Sequence, residues 1–215
     1  MTRDAAQMLP AGSVLFDGAH ALPGGGIVFD SWHGNVHMPA LRAALRASRE
    51  ARYTSAVRGS MISIFELASS VNVQSALRVA AKPSPTVDWL ERFVAVPSTT
   101  HRRPDAHETG QPGRAPIAYP VFFGVPRDGE DDFDHWYDDE HMTMLLGCKA
   151  WLGCRRFRLR DSHPQGWTHM ALHDLADVSA LASPEREAAR GTVWRNKLSA
   201  NEWFKGDYRV LYRLA

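Results

Sequence analysis

One pattern of thirteen residues occurs twice in this chain, once in each half, and it limits what the chain can fold into. The first copy is Phe29-Asp-Ser-Trp-His-Gly-Asn-Val-His-Met-Pro-Ala-Leu41 and the second is Phe133-Asp-His-Trp-Tyr-Asp-Asp-Glu-His-Met-Thr-Met-Leu145. Phe, Asp, Trp, His, Met and Leu recur at identical offsets, two tryptophans among them, which points to an internal repeat. The flanks support it. Val14-Leu-Phe-Asp-Gly and Val121-Phe-Phe-Gly-Val are short apolar runs with the composition of strands, each followed by a turn-forming stretch, Pro23 to Gly26 and Arg127 to Asp132. Downstream, Ser60 to Ala68 answers Trp167 to Leu175 as strands, and each leads into a helix start. The last segment alternates, Tyr208, Val210, Tyr212 and Leu214 against Arg209, Leu211 and Arg213, and predicts a strand with one aromatic face.

Each half therefore reads β-α-β-β-α-β, the ferredoxin-like order. The expected architecture is α+β. A first repeat spans 12–96, a proline-rich and polar linker spans 97–116, and a second repeat spans 117–215. A sheet with helices on one face must cover the other, and a second sheet is the natural cover. The two repeats are expected to form an intramolecular α+β barrel with an interior cavity.

The bulk properties remove several classes of function. A formal net charge of +1 gives no global attraction to nucleic acid or an anionic membrane. No run of residues approaches the length of a membrane span, and Met1 to Gly12 does not read as a signal peptide. The two cysteines, Cys148 and Cys154, make no disulfide framework, so a cytoplasmic location is expected. His33 and His37 have the spacing of a metal pair but lack an evident third ligand, and Gly24-Gly25-Gly26 precedes a strand-like Ile27-Val28-Phe29 rather than a helix. His163, His169 and His173 offer the only candidate haem ligands. Neither a metal nor another cofactor is expected.

The Trp-x4-His elements resemble the opening of the first helix in the EthD-like branch of the dimeric α+β-barrel superfamily. The stretches that carry the likeness are Trp136-Tyr137-Asp138-Asp139-Glu140-His141-Met142, Trp32 through Pro39, and Gly153-Cys-Arg-Arg-Phe-Arg-Leu159. The resemblance implies a fused tandem form of that fold. It also implies small-molecule chemistry, since relatives include cofactor-free cyclases, isomerases, decarboxylases and small monooxygenases.

On a helix, Tyr137 and His141 share a face. A histidine there suits proton transfer, a tyrosine can donate to a carbonyl or enolate oxygen, and Glu140 can fix the imidazole tautomer. His141, Tyr137, Glu140 and, in the first half, His37 are the candidate catalytic residues. Trp136, Trp32, Phe123, Trp167, Tyr208 and Arg156 are the candidate substrate-binding residues. Arg156, Arg158 and Arg160 share a strand face that reads as solvent-exposed. The expected partner is a small aromatic or carbonyl compound, and a homodimer fits these expectations. The expected activity is a cofactor-independent lyase, cyclase or isomerase. A cofactor-free monooxygenase and a non-catalytic binder of an apolar ligand are the alternatives.

Overall fold

The computed structural model describes residues 9–24, 26–47, 49–55, 60–78, 87–106, 114–160 and 166–214. The chain divides into two compact units. One runs to Pro97 and takes in Leu214, and the other is Ser98–Arg213.

In the first unit the elements are β1 (Val14–Ala21), α1 (Gly26–Trp32), a π-helical turn (His33–His37), α2 (Met38–Leu45), β2 (Arg49–Ser55), β3 (Ser60–Glu66), α3 (Val73–Leu77) and β4 (Val87–Arg102). β1 pairs antiparallel with both β3 and β4, and β2 pairs with β3, so the order is β4-β1-β3-β2. α2 buries Met38, Leu41 and Leu45 against Leu15, Phe65 and Val94 of the sheet, the i, i+3, i+7 stripe of an amphipathic helix. Pro39 opens α2, and Arg46 ends it in the left-handed region at φ 46°.

The second unit follows the same order: β5 (Ile117–Phe123), α4 (Glu130–His135), a π-helical turn (Trp136–His141), α5 (Met142–Leu145), β6 (Trp151–Arg160), β7 (His169–Leu175), α6 (Pro184–Arg190), α7 (Val193–Ser199), and the short strands β8 (Asp207–Tyr208) and β9 (Leu211–Arg213). β5 pairs with β7 on one side and with β8 and β9 on the other, and β7 pairs with β6. The fold is thus α+β, with each unit showing the ferredoxin-like element order expected from the sequence. Among the described residues no helix is long and apolar enough to cross a membrane.

Three local readings change. Ile27-Val28-Phe29 lies in α1, not a strand. Ile27 and Val28 are exposed while Phe29 and Trp32, three apart, are buried, which is a helical period. β4 continues past Pro97 to Arg102, so the stretch read as linker begins as strand. The last strand is broken between Tyr208 and Leu211. Arg209 donates its N–H to the Pro120 carbonyl, but Pro120 has no N–H to return, and the ladder is interrupted there. Its buried residue is Leu211, while Tyr208 and Tyr212 are exposed. Asp132 accepts from Trp194 Nε1 at 2.8 Å and lies 3.1 Å from Lys197 Nζ, tying α7 to α4.

Close backbone approach explains Gly153. A Cβ there would lie 2.8 Å from the His101 carbonyl oxygen. Gly153→Ala is expected to lower stability by roughly 1–3 kcal/mol, read as a fall in the urea midpoint with an unchanged slope.

Candidate active site

Both repeat motifs wind as π-helix. The Met142 N–H bonds the Tyr137 carbonyl and the Met38 N–H bonds the His33 carbonyl, five residues back in each case. The wider turn aligns residues i and i+5. Trp136 lies over His141 with ring centroids 4.6 Å apart at 31°, and Trp32 lies over His37 with the same spacing and angle. A strict α-helix would instead have stacked Trp136 on Glu140. Such one-turn π segments are frequent at functional sites.

Next to the second π turn is a cavity of about 410 Å³, within the range of small-molecule sites. It lies on the helix-covered face of the sheet in the second unit rather than in a barrel interior. Tyr119, Val121 and Phe123 of β5 form its floor, Trp136, Tyr137, His141 and Leu145 one wall, and Arg186, Arg190 and Arg195 of α6 and α7 another. Phe204, Lys205, Gly206 and Tyr208 complete it with Trp151 and His173. Gly206 is needed here, because a Cβ would stand 2.9 Å from the Phe123 ring.

The polar groups of the cavity have assigned directions. Trp151 Nε1 donates to His173 Nδ1 at 3.0 Å, and an indole N–H can only donate. The lone pair of His173 is therefore on Nδ1. Burial holds its pKa well below 6.5, so the ring is neutral and carries its proton on Nε2. Nε2 is 2.8 Å from the Tyr137 hydroxyl and donates to it. Burial also raises the Tyr137 pKa well above 10, so the phenol keeps its hydrogen. That hydrogen is free to donate into the cavity.

His141 is the complementary group. The neighbouring Ala189 backbone favours its protonated form. Its Nδ1 is a buried ring nitrogen with no partner. Burial first, then the charge of Arg195, lowers its pKa to about 3. Trp136 Nε1 is likewise buried without a partner. Trp136 and His141, a stacked pair in the cavity wall, thus carry an indole donor and a ring nitrogen that are both unused, beside Tyr137. A hydroxyl or enol group satisfies such a set, giving a hydrogen to one atom and accepting from another.

Arg156 does not line the cavity. It is 3% exposed, donates to Asp138 at 2.8 Å and to Asp134, and lies 4.6 Å from the far face of the Tyr137 ring. Asp138 also accepts from Thr99 at 2.9 Å and from His101 at 2.8 Å. Of the arginine face read as exposed, Arg160 is exposed and Arg158 partly so, pairing Glu130 and Asp134, whereas Arg156 is an internal clamp on the π turn. Glu140 does not touch the His141 ring nitrogens; it accepts from Thr192 at 2.6 Å and anchors the start of α7. Trp167 stacks on Phe122 at 4.5 Å and lies outside the cavity. Of the other residues singled out, Tyr137, His141, Trp136, Phe123 and Tyr208 are brought together around it.

Trp32 and His37 belong to the first unit. There His37 Nε2 pairs with Asp17 at 2.6 Å, and Asp17 pairs with Arg92 at 2.6 Å, all in the core. His33 is buried with neither ring nitrogen bonded. Among the described residues no three His, Cys, Asp or Glu side chains gather as a metal-binding group. His173 has both ring nitrogens engaged and offers no lone pair to a haem iron; His169 lies outside the cavity with its Nδ1 2.8 Å from Thr168, and His163 falls outside the described residues. Both cysteines are buried free thiols. Sequence reading missed His173 as a partner of Tyr137, and the arginines of α6 and α7.

No family model and no curated protein matches the chain. Solved structures do. An anthrone oxidase-like protein is similar at TM-score 0.65 and 13% identity, over 94% of this chain and 91% of that one. A Listeria monocytogenes ferredoxin-fold protein related to antibiotic biosynthesis monooxygenases is similar at TM-score 0.52 and 5% identity, over 96% and 97%. A variant chlorite dismutase from Candidatus Nitrospira defluvii, in complex with cyanide, is similar at TM-score 0.56 and 8% identity, over 100% and 96%. At these identities the likeness is one of fold. That fold is the ferredoxin-like α+β fold.

Two outcomes follow from the buried charges. Arg156→Ala would take one charged partner from Asp134 and Asp138, which keep Arg158, His101 and Thr99, and is expected to cost about 1.5–3 kcal/mol, measured by chemical denaturation. Acid should weaken the fold before any carboxylate of ordinary pKa is protonated. Burial holds His33, His141, His169 and His173 neutral well below 6.5. The unfolded chain binds those protons first, so stability falls as pH drops from about 6.5 toward 4. Asp174, raised to about 6 by burial, opposes this with one proton. Near pH 5 the net is about three protons taken up on unfolding, or up to about 4 kcal/mol per pH unit. Denaturation at stepped pH reads this slope, and a flat profile from pH 7 to 5 would contradict it.

Proposed function

We propose that the cavity of the second unit is the active site of a small-molecule oxygenase acting on a flat aromatic compound with an enolisable carbonyl. The observation that carries this is the pair of unused polar atoms, Trp136 Nε1 and His141 Nδ1, set beside the Tyr137 hydroxyl in a wall of aromatic rings. The fold likeness to an anthrone oxidase-like protein and to a relative of antibiotic biosynthesis monooxygenases supports oxygenation as the reaction.

On this reading the substrate oxygen accepts from Tyr137 and Trp136, which hold it more tightly as charge develops. His141 Nδ1 takes the proton released on enolisation. With a pKa of about 3 in the open cavity it is a weak base, but an enolate beside it offsets the charge of Arg195 and raises its affinity for the proton. Proton and anion therefore form as a pair. The electron-rich anion then reduces molecular oxygen. For a methylene between aromatic rings, both C–H bonds break and a C=O bond forms in their place. The carbon is oxidised and one dioxygen molecule is fully reduced. One of its oxygen atoms stays on the carbon, and the other leaves as water with the two hydrogens.

The same residues support proton transfer alone, as a lyase, cyclase or isomerase would use it. His141 as acid and base serves both, and oxygen uptake separates them. The EthD-like branch and an ancestral copying event are our reading of the chain's origin, supported by the two π turns with matching Trp-His stacks.

With anthrone as probe, the expected result is consumption of one dioxygen per molecule converted. His141→Ala should lower kcat by about 10²–10⁴-fold. Tyr137→Phe should lower it by up to about 10²–10³-fold. Product formed at the same rate under argon would sink oxygenation and leave proton transfer. Anthrone binding that is indifferent to His141→Ala, with no turnover, would identify a binding protein instead.

A further inference from the structure

The wall opposite the π turn is cationic. Arg186 and Arg190 come from α6, Arg195 from α7 and Lys205 from the segment before β8, and no carboxylate lines the cavity with them. Arg186 and Arg195 are half-buried, and among the described residues neither they nor Arg190 form an ion pair.

Each of the two half-buried guanidiniums is held by one nitrogen. Arg186 donates from one Nη to the Leu181 carbonyl at 2.7 Å, and Arg195 donates in the same way to the Arg190 carbonyl at 3.1 Å. Arg195 also lies 5.6 Å over the Phe204 ring. A guanidinium has five N–H donors, so most of each fork remains unused. The helices that carry them are fixed as well. Ser183 caps α6, Thr192 caps α7, and Glu140 and Asp132 tie α7 to the π turn and α4.

Three like charges gathered at a partly desolvated wall oppose one another, and among the described residues no carboxylate pairs with them. The lowered pKa of Arg195, caused by burial and then by Arg190 and Arg186, reports that cost. Arginines on an open surface would need no partner, because water screens them. Here they are pinned, aimed along one cavity and left without an anion.

Resting on the reading of this cavity as a small-molecule site, we propose that its substrate carries a carboxylate remote from the reacting carbon, bound by the forks of Arg186 and Arg195 with Arg190 and Lys205 at the mouth. The molecule would then be oriented at two ends: its ring hydroxyl or enol at Trp136, Tyr137 and His141, its carboxylate at the arginines. Planar forks suit a carboxylate, which they can hold through two parallel hydrogen bonds.

The test compares three probes in the intact protein by quenching of tryptophan fluorescence: 2-naphthol, 6-hydroxy-2-naphthoic acid and its methyl ester. The acid is expected to bind at least about tenfold more tightly than the ester, and raising the salt concentration should narrow that gap. In the Arg186→Gln/Arg195→Gln variant the acid should lose most of its advantage, so that the acid-to-ester ratio falls toward one. Equal affinity of acid and ester in the unaltered protein overturns the carboxylate proposal while leaving the cavity reading intact. An advantage that survives in the variant overturns the assignment to these arginines. If none of the three probes binds, the cavity reading fails and the proposal with it. The comparison in the unaltered protein decides the matter even if the double variant does not fold.

Discussion

The site depends on one extra residue in a turn of helix. Between Trp136 and His141 the backbone bonds run five residues back. That widening stacks an indole on an imidazole and turns Tyr137 toward β7. In an α-helix the same side chains would fan out at another angle and the tryptophan would meet Glu140. A π segment forms poorer hydrogen-bond geometry than the α-helix around it, so it persists only where the surroundings hold it. Arg156 supplies much of that hold, gripping Asp134 on one side of the turn and Asp138 within it while covering the Tyr137 ring.

Charge in the second unit is sorted by position. Behind the π turn, acids and bases are matched: Arg156 and Arg158 with Asp134, Asp138 and Glu130, and Asp138 again with His101 and Thr99. In front of it, at the cavity, the cations stand alone and the histidines are neutral. The first kind of contact fixes geometry. The second leaves bonding capacity open. The first unit holds its own π turn with an equivalent Trp-His stack, but there Asp17 occupies His37 and Arg92 occupies Asp17.

Much of the fold could be read from the chain because its signals are local. The doubled motif, the apolar runs of β1 and β5 and the alternation through β6 each reflect a period that backbone geometry imposes. His141, Tyr137 and Trp136 were legible for the same reason, since one helical segment carries them all. What escaped is non-local. Nothing in Ala171-Leu-His-Asp shows that His173 will meet both Tyr137 and Trp151, which come from two other elements. Arg186, Arg190 and Arg195 read as ordinary helix surface until the packing of α6 and α7 turns them on one cavity. Arg156 looked exposed because strand parity tells which residues share a face, not which face is covered. The break in the last strand was written in Pro120, whose missing donor matters only once its neighbour is known.

A chain of hydrogen bonds has a polarity, and here it is fixed at the Trp151 end. Because the Trp151 indole can only give, His173 must receive on that side and give on the other, and Tyr137 is left pointing its hydrogen outward. Remove the indole and the imidazole is free to swap its proton; the phenol could then turn its hydrogen inward and show the cavity a lone pair instead. The sign of the contact that Tyr137 offers is thus stored two side chains away, in an indole that can only donate.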